Sequence, residues 1–67
     1  MDKLKRYLKE INYKFLMKRE EHYKGYNIKT ELTVDDEDMI NLKLYLTQKG
    51  CYVYNIGNIL VVIKYRN

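Results

Sequence analysis

The segment CYVYNIGNILVVIKYRN (residues 51–67) contains two β-rich runs separated by Gly57-Asn58. A two-residue turn with glycine in first position is typical of a type II′ β-hairpin. This turn fixes the register and divides the hairpin side chains between two faces. One face carries Tyr52, Tyr54, Ile56, Ile59, Val61 and Ile63. The other carries Val53, Leu60 and Val62. Both faces are therefore rich in apolar side chains.

Three further elements precede the hairpin. Apolar residues spaced three or four apart predict an amphipathic helix over residues 3–23. Alternation over residues 13–18 leaves open a second interpretation, a shorter helix followed by a strand. Residues 26–34 alternate strictly and predict a strand with one buried face. Residues 35–49 predict a second helix, which begins with the acidic run DDED and ends before Gly50.

The order α-β-α-β-β predicts an α+β fold in a single small domain, residues 1–67. The expected architecture is a two-layer sandwich, with two helices packed on one face of a three-stranded sheet that includes the C-terminal hairpin. We expected the helices to cover the face that carries Tyr52 and Tyr54. Val53, Leu60 and Val62 would then lie on an uncovered face, which antiparallel sheets usually keep polar.

The residue types present argue against most catalytic sites. The chain has no serine, one cysteine and one histidine. A serine nucleophile, an internal disulfide and a Cys/His zinc site are thereby excluded. A Cys51–His22 thiol–imidazole pair is one interpretation of these two residues, but packing roles explain both residues better. The DDED run suits a helix N-terminus better than a magnesium site. We therefore expect no enzyme activity, no metal and no cofactor.

Composition indicates an origin and a compartment. The abundance of Lys, Asn, Ile and Tyr, which have AT-rich codons, favours a virus, a phage or a plasmid as the source. No secretory h-region is recognisable, and the longest apolar run has five residues, far below the roughly 20 needed to cross a bilayer. We expect a cytoplasmic protein, in the host cytosol if viral, without membrane contact.

The excess of apolar side chains is the strongest functional signal. On the long-helix interpretation, Tyr13, Leu16 and Met17 project away from the apolar stripe of the first helix. Exposed apolar patches with charged rims usually mark partner sites. The expected partner-binding residues are Tyr13, Leu16, Met17, Val53, Leu60 and Val62. They predict a protein-binding module that docks on a larger host protein and inhibits or modulates it, with homodimerisation as a further expectation.

Basic residues interleaved with aromatic ones support an alternative function. The expected nucleic-acid contacts are Lys5, Arg6, Lys9, Lys64, Tyr65 and Arg66. The order of elements also resembles a winged-helix domain, in which a helical core is followed by a β-hairpin wing, although one helix of that fold is missing. A net charge of +4 permits only a few phosphate contacts, so weak and non-specific binding is expected.

Overall fold

The computed structural model describes residues 2–19 and 28–64. These residues form two helices and three strands: α1 (Asp2–Arg19), β1 (Ile28–Thr33), α2 (Asp36–Gln48), β2 (Tyr52–Ile56) and β3 (Ile59–Lys64). The predicted order α-β-α-β-β and the α+β class are confirmed. Neither described helix combines the length and the apolar composition that crossing a bilayer requires.

Helix α1 continues without interruption through Arg19, so the alternative of a strand over residues 13–18 is wrong. The cause is the spacing of its buried residues. Tyr7, Ile11 and Phe15 are four apart, lie on one face of the helix and are all buried. Residues 20–23 of the predicted helix and residues 26–27 of the predicted strand lie outside the described residues.

The sheet is antiparallel and has the order β1-β3-β2, so β3 lies in the centre. The hairpin register is the predicted one, with Ile56 opposite Ile59 and Val53 opposite Val62. Gly57 has a φ of 59°, and no residue other than a glycine has a positive φ in the described ranges. The φ of Asn58 is therefore negative. This combination confirms the type II′ turn, because a type I′ turn requires a positive φ at both central positions.

The expected assignment of the two sheet faces is wrong. Leu60 and Val62 are completely buried, and Val53 packs against the same core. The pairing of β1 with β3 explains this outcome, because it places Leu32 opposite Leu60 and Thr30 opposite Val62. The helices therefore cover the face that carries Val53, Leu60 and Val62, and the tyrosines of β2 lie on the other face.

Both helices pack on this inner face, α1 over β1 and α2 over β2. Tyr7, near the start of α1, donates a hydrogen bond to Asp38 in the first turn of α2. Phe15, near the other end of α1, lines a cleft together with Leu46, near the end of α2. The two helices therefore run parallel, and their N-termini lie at the same end of the molecule.

Candidate functional site

The side of the sheet that neither described helix covers, here the outer sheet face, is largely apolar. It consists of Tyr52, Tyr54, Ile56, Ile59, Val61 and Ile63 from β2 and β3. Ile56 is 69% exposed and Tyr52 is 53% exposed, while Ile59 and Tyr54 are also classed as exposed. Val61 is buried in the centre of this face, between its neighbours Glu31 on β1 and Tyr54 on β2.

Helix α1 presents a second apolar surface, here the α1 patch, formed by Tyr13, Leu16 and Met17. Each of these side chains is at least half exposed, as their direction relative to the buried stripe predicted. The other three expected partner-binding residues do not reach the surface in the same way. Leu60 and Val62 are buried in the core, and Val53 is half-buried against it.

A cleft, here the basic groove, lies between α1 and the C-terminal half of α2. One part of it is a cavity of about 340 Å³ that includes Leu8, Asn12, Tyr45, Lys49 and Lys64 among its lining residues. An adjoining shallow stretch, open to solvent, shares Leu8 and Asn12 and adds further side chains of α1. The added residues are Lys5, Arg6 and Lys9.

All the charged side chains that line the basic groove in the described ranges are positive. Its charged lining residues are Lys5, Arg6, Lys9, Lys49 and Lys64, and no carboxylate lines it within the described ranges. The ammonium groups of Lys49 and Lys64 lie over aromatic rings, 5.4 Å from the centroid of Tyr45 and 5.8 Å from that of Phe15, respectively. No salt bridge to any of the five cations occurs among the described residues. Tyr65 and Arg66, which were also expected to bind nucleic acid, lie outside the described residues.

Acidic residues gather instead at the N-terminus of α2. The carboxylates of Asp35, Glu37 and Asp38 lie within 4.8 Å of one another, which is a spacing that a metal ion can use. The ammonium nitrogen of Lys3 already lies among them, 2.7 Å from Asp35 Oδ2, 3.2 Å from Glu37 Oε1 and 3.5 Å from Asp38 Oδ2. A lysine thus supplies the positive charge that this cluster requires.

Hydrogen bonds and charges in this cluster shift three pKa values, and the hydrogen bonds to Asp35 and Glu37 raise the pKa of Lys3. The hydrogen bond and the charge of Lys3 lower the pKa of Asp35, because both favour the carboxylate. The N–H of Asp35 donates to the Tyr7 hydroxyl oxygen at 3.3 Å, which by itself favours the phenolate. Burial, the hydrogen bond to Asp38 and the neighbouring negative charges outweigh this effect and raise the pKa of Tyr7. Asp35 is the N-cap residue of α2, but its side chain makes no capping hydrogen bond.

Cys51 is half-buried and is one of the residues that line the basic groove. Its expected partner in the thiol–imidazole interpretation, His22, lies outside the described residues. The Cys51 N–H donates a hydrogen bond to the carbonyl of Leu46 at 3.0 Å. This arrangement closes the turn after α2, which is a structural role.

Interpretation of the sequence missed parts of two of these surfaces. The tyrosines of β2 were placed in the core, and Tyr45 and Lys49 were not connected with Lys5 and Lys9. The hairpin sequence alone does not show which of its faces is buried, because the hairpin is apolar on both sides. Connecting Tyr45 and Lys49 with α1 required knowledge of how the helices pack. Neither a protein-family model, nor a curated protein, nor a solved structure matches this chain.

Proposed function

We propose that the protein is a small, non-enzymatic protein-binding module that docks on a larger protein through the outer sheet face. The observation that supports this proposal is the exposure of Tyr52, Tyr54, Ile56 and Ile59 on one side of an antiparallel sheet. A solvated face of such a sheet normally alternates to polar residues. Contiguous exposed apolar residues typically mark an interaction site.

The size of the exposed apolar area fits a partner site. At about 200 Å² for a fully exposed large side chain, the exposed fractions of these four residues amount to about 400 Å². The largest apolar patch on a typical monomer is about 300–600 Å² and is often functional. A standard interface buries about 800 Å² on each partner, so polar neighbours on β1 would supply the rim.

The aromatic content of the face also supports the proposal. The rings of Tyr52 and Tyr54 have centroids 6.0 Å apart and planes inclined by 57°. Tyrosine is enriched in interface cores, where it contributes a large contact area and a hydroxyl group for hydrogen bonding. Two neighbouring rings that already contact each other lose little conformational entropy when a partner covers them.

The abundance of amino acids with AT-rich codons also suggests what kind of protein the partner is. An AT-rich source suits a viral or mobile-element protein, and its partner would then be a host protein whose activity it inhibits or modulates. Binding would take place in the host cytosol.

The test uses two isoleucines with the same exposure. Ile56 on the outer sheet face and Ile40 on α2 are both 69% exposed. Ile56→Lys should abolish capture of the partner from a host lysate, because a lysine in an apolar interface must lose its hydration without a counter-ion. Ile40→Lys, which introduces the same charge on another surface, should leave capture unchanged.

The capture is repeated after nuclease treatment, and both variants are checked by circular dichroism. Capture that is lost with the nuclease, or that survives Ile56→Lys, would contradict the proposal. Sedimentation equilibrium tests a second copy as the occupant of this face. A wild-type dimer that Ile56→Lys converts to the 8.2 kDa monomer would assign the outer sheet face to self-association.

A further inference from the structure

We propose that the basic groove binds single-stranded nucleic acid, with phosphates contacting its cations and bases stacking on nearby tyrosines. The groove lies on the helix layer, on the opposite side of the sheet from the outer sheet face. The inference is therefore independent of the proposed protein-binding function, and each can be correct without the other.

The first argument is that no carboxylate among the described residues neutralises the cations of the basic groove. Two described lysines outside the groove are paired with carboxylates: Lys3 with the acidic cluster, and Lys14 with Glu10 at 3.1 Å. Among the described residues, no carboxylate lies within salt-bridge distance of the five cations of the basic groove, and all five are exposed. Uncompensated positive charge along a concave surface attracts a polyanion and is the electrostatic signature of nucleic-acid binding.

The second argument is the linear arrangement of these charges. Lys5 and Lys9 are one helical turn apart, which separates them by about 6 Å along α1. The groove follows α1 from Lys5 to Phe15, a length of about 15 Å, and Lys64 lies at its far end. A positively charged groove of this kind follows a sugar–phosphate backbone, and sites for a single strand begin at about four nucleotides.

The third argument is the position of the aromatic side chains. Tyr45 lines the groove and is only half-buried, with Lys49 over its ring. Tyr13 is exposed one turn beyond Lys9 on α1. Cations next to accessible aromatic rings are the combination that single-strand binders use. An acidic polypeptide would use the cations but would have no bases to stack on these rings.

The groove offers little sequence discrimination. Among the described lining residues, only Asn12 and Arg6 have the forked donor or acceptor groups that pair with a base edge. The cations of the groove are four lysines and one arginine, which bind phosphates without regard to sequence. We therefore infer non-specific binding that depends strongly on salt.

The test measures fluorescence anisotropy of a dye-labelled 12-nucleotide oligo-dT between about 50 and 200 mM salt. Five phosphate contacts to a single strand give a slope of log affinity against log salt of about −3.5, and affinity then falls about 100-fold across this range. Lys9→Glu should reduce the slope to about −2.8 and weaken binding at 50 mM salt at least about tenfold.

The matched control is Lys43→Glu, which changes the net charge by the same amount. Lys43 lies on the other flank of α2 and donates a hydrogen bond to Asn55 at 2.7 Å. Circular dichroism verifies that both variants are folded. Weaker oligo-dT binding by Lys9→Glu, together with unchanged binding by Lys43→Glu, supports the proposal. Equal losses of affinity in the two variants would show attraction by net charge alone and would overturn it.

Two competitors distinguish the kind of polyanion. Polyglutamate of equal charge that displaces the oligonucleotide as well as unlabelled oligo-dT does would assign the groove to an acidic polypeptide instead. A duplex of the same length that binds more tightly than the single strand would also overturn the proposal, as would the absence of oligo-dT binding at 50 mM salt.

Discussion

Thr30 lies in the middle of the inner face of the sheet, where its hydroxyl oxygen is buried and has no hydrogen-bond partner among the described residues. The residue is 1% exposed and is paired with Val62 on the central strand. Thr30→Val replaces this hydroxyl group by a methyl group of similar size and so opens no cavity. We expect the variant to be more stable than the wild type.

The magnitude follows from the environment of the hydroxyl group. Burying a polar group without a partner costs about 1–3 kcal/mol. Allowing for imperfect packing of the new methyl group, Thr30→Val should raise the free energy of unfolding by about 1–2 kcal/mol. In a domain of this size, 1 kcal/mol raises Tm by about 4–8 °C, so an increase of about 5–15 °C is expected.

Urea and thermal denaturation followed by circular dichroism measure this difference. Thr33→Val, on the same strand but exposed on the other face, is the control and should change stability by less than about 0.5 kcal/mol. A less stable Thr30→Val would refute the reasoning, because it would mean that the hydroxyl group is hydrogen-bonded in the folded protein.

Two further predictions concern the contact between the helix N-termini. Tyr7→Phe keeps the buried ring but removes the hydrogen bonds to Asp38 and Asp35, so the free energy of unfolding should fall by about 1–2 kcal/mol in urea titrations. The second prediction is a pH dependence: Lys3 lowers the pKa of Asp35 in the folded state below its ordinary 3.8, so the unfolded chain takes up this proton first. The stabilisation by the Lys3–Asp35 interaction is therefore complete above about pH 4 and is lost as the pH falls through the pKa of Asp35 in the folded protein. Lys3→Met should flatten this part of the stability–pH curve, and an NMR titration should show the pKa of Asp35 returning towards 3.8; an unchanged titration would contradict the assignment.

Local patterns were sufficient to predict the elements of this fold. The i, i+4 spacing of Tyr7, Ile11 and Phe15 defines α1, and strict alternation defines β1. The hairpin register follows from Gly57 because few turns of two residues accept glycine first. The exposure of the α1 patch was also predictable, since side-chain directions on a helix depend on spacing alone.

Contacts between residues far apart in the sequence determine which sheet face is buried and how the basic groove is assembled. Both faces of the hairpin are apolar, so the buried face depends on which residues of β1 lie opposite Leu60 and Val62. No residue within the hairpin carries that information, and the larger face was chosen wrongly. The basic groove was beyond prediction for a similar reason, because Lys49 joins Lys9 only through the parallel packing of the two helices.

The basic groove begins in the first turn of α1, and this position would link the proposed binding of a polyanion to folding. The N-terminal end of a helix carries a partial positive charge, so a lysine there destabilises the helix by about 0.3–1 kcal/mol unless an anion lies nearby. Lys3 has three carboxylates around it, whereas Lys5 has no carboxylate within salt-bridge distance among the described residues. A bound phosphate would supply the missing negative charge. Occupancy of the groove should then raise the stability of the whole 67-residue domain, so that the polyanion acts as a folding partner as well as a ligand.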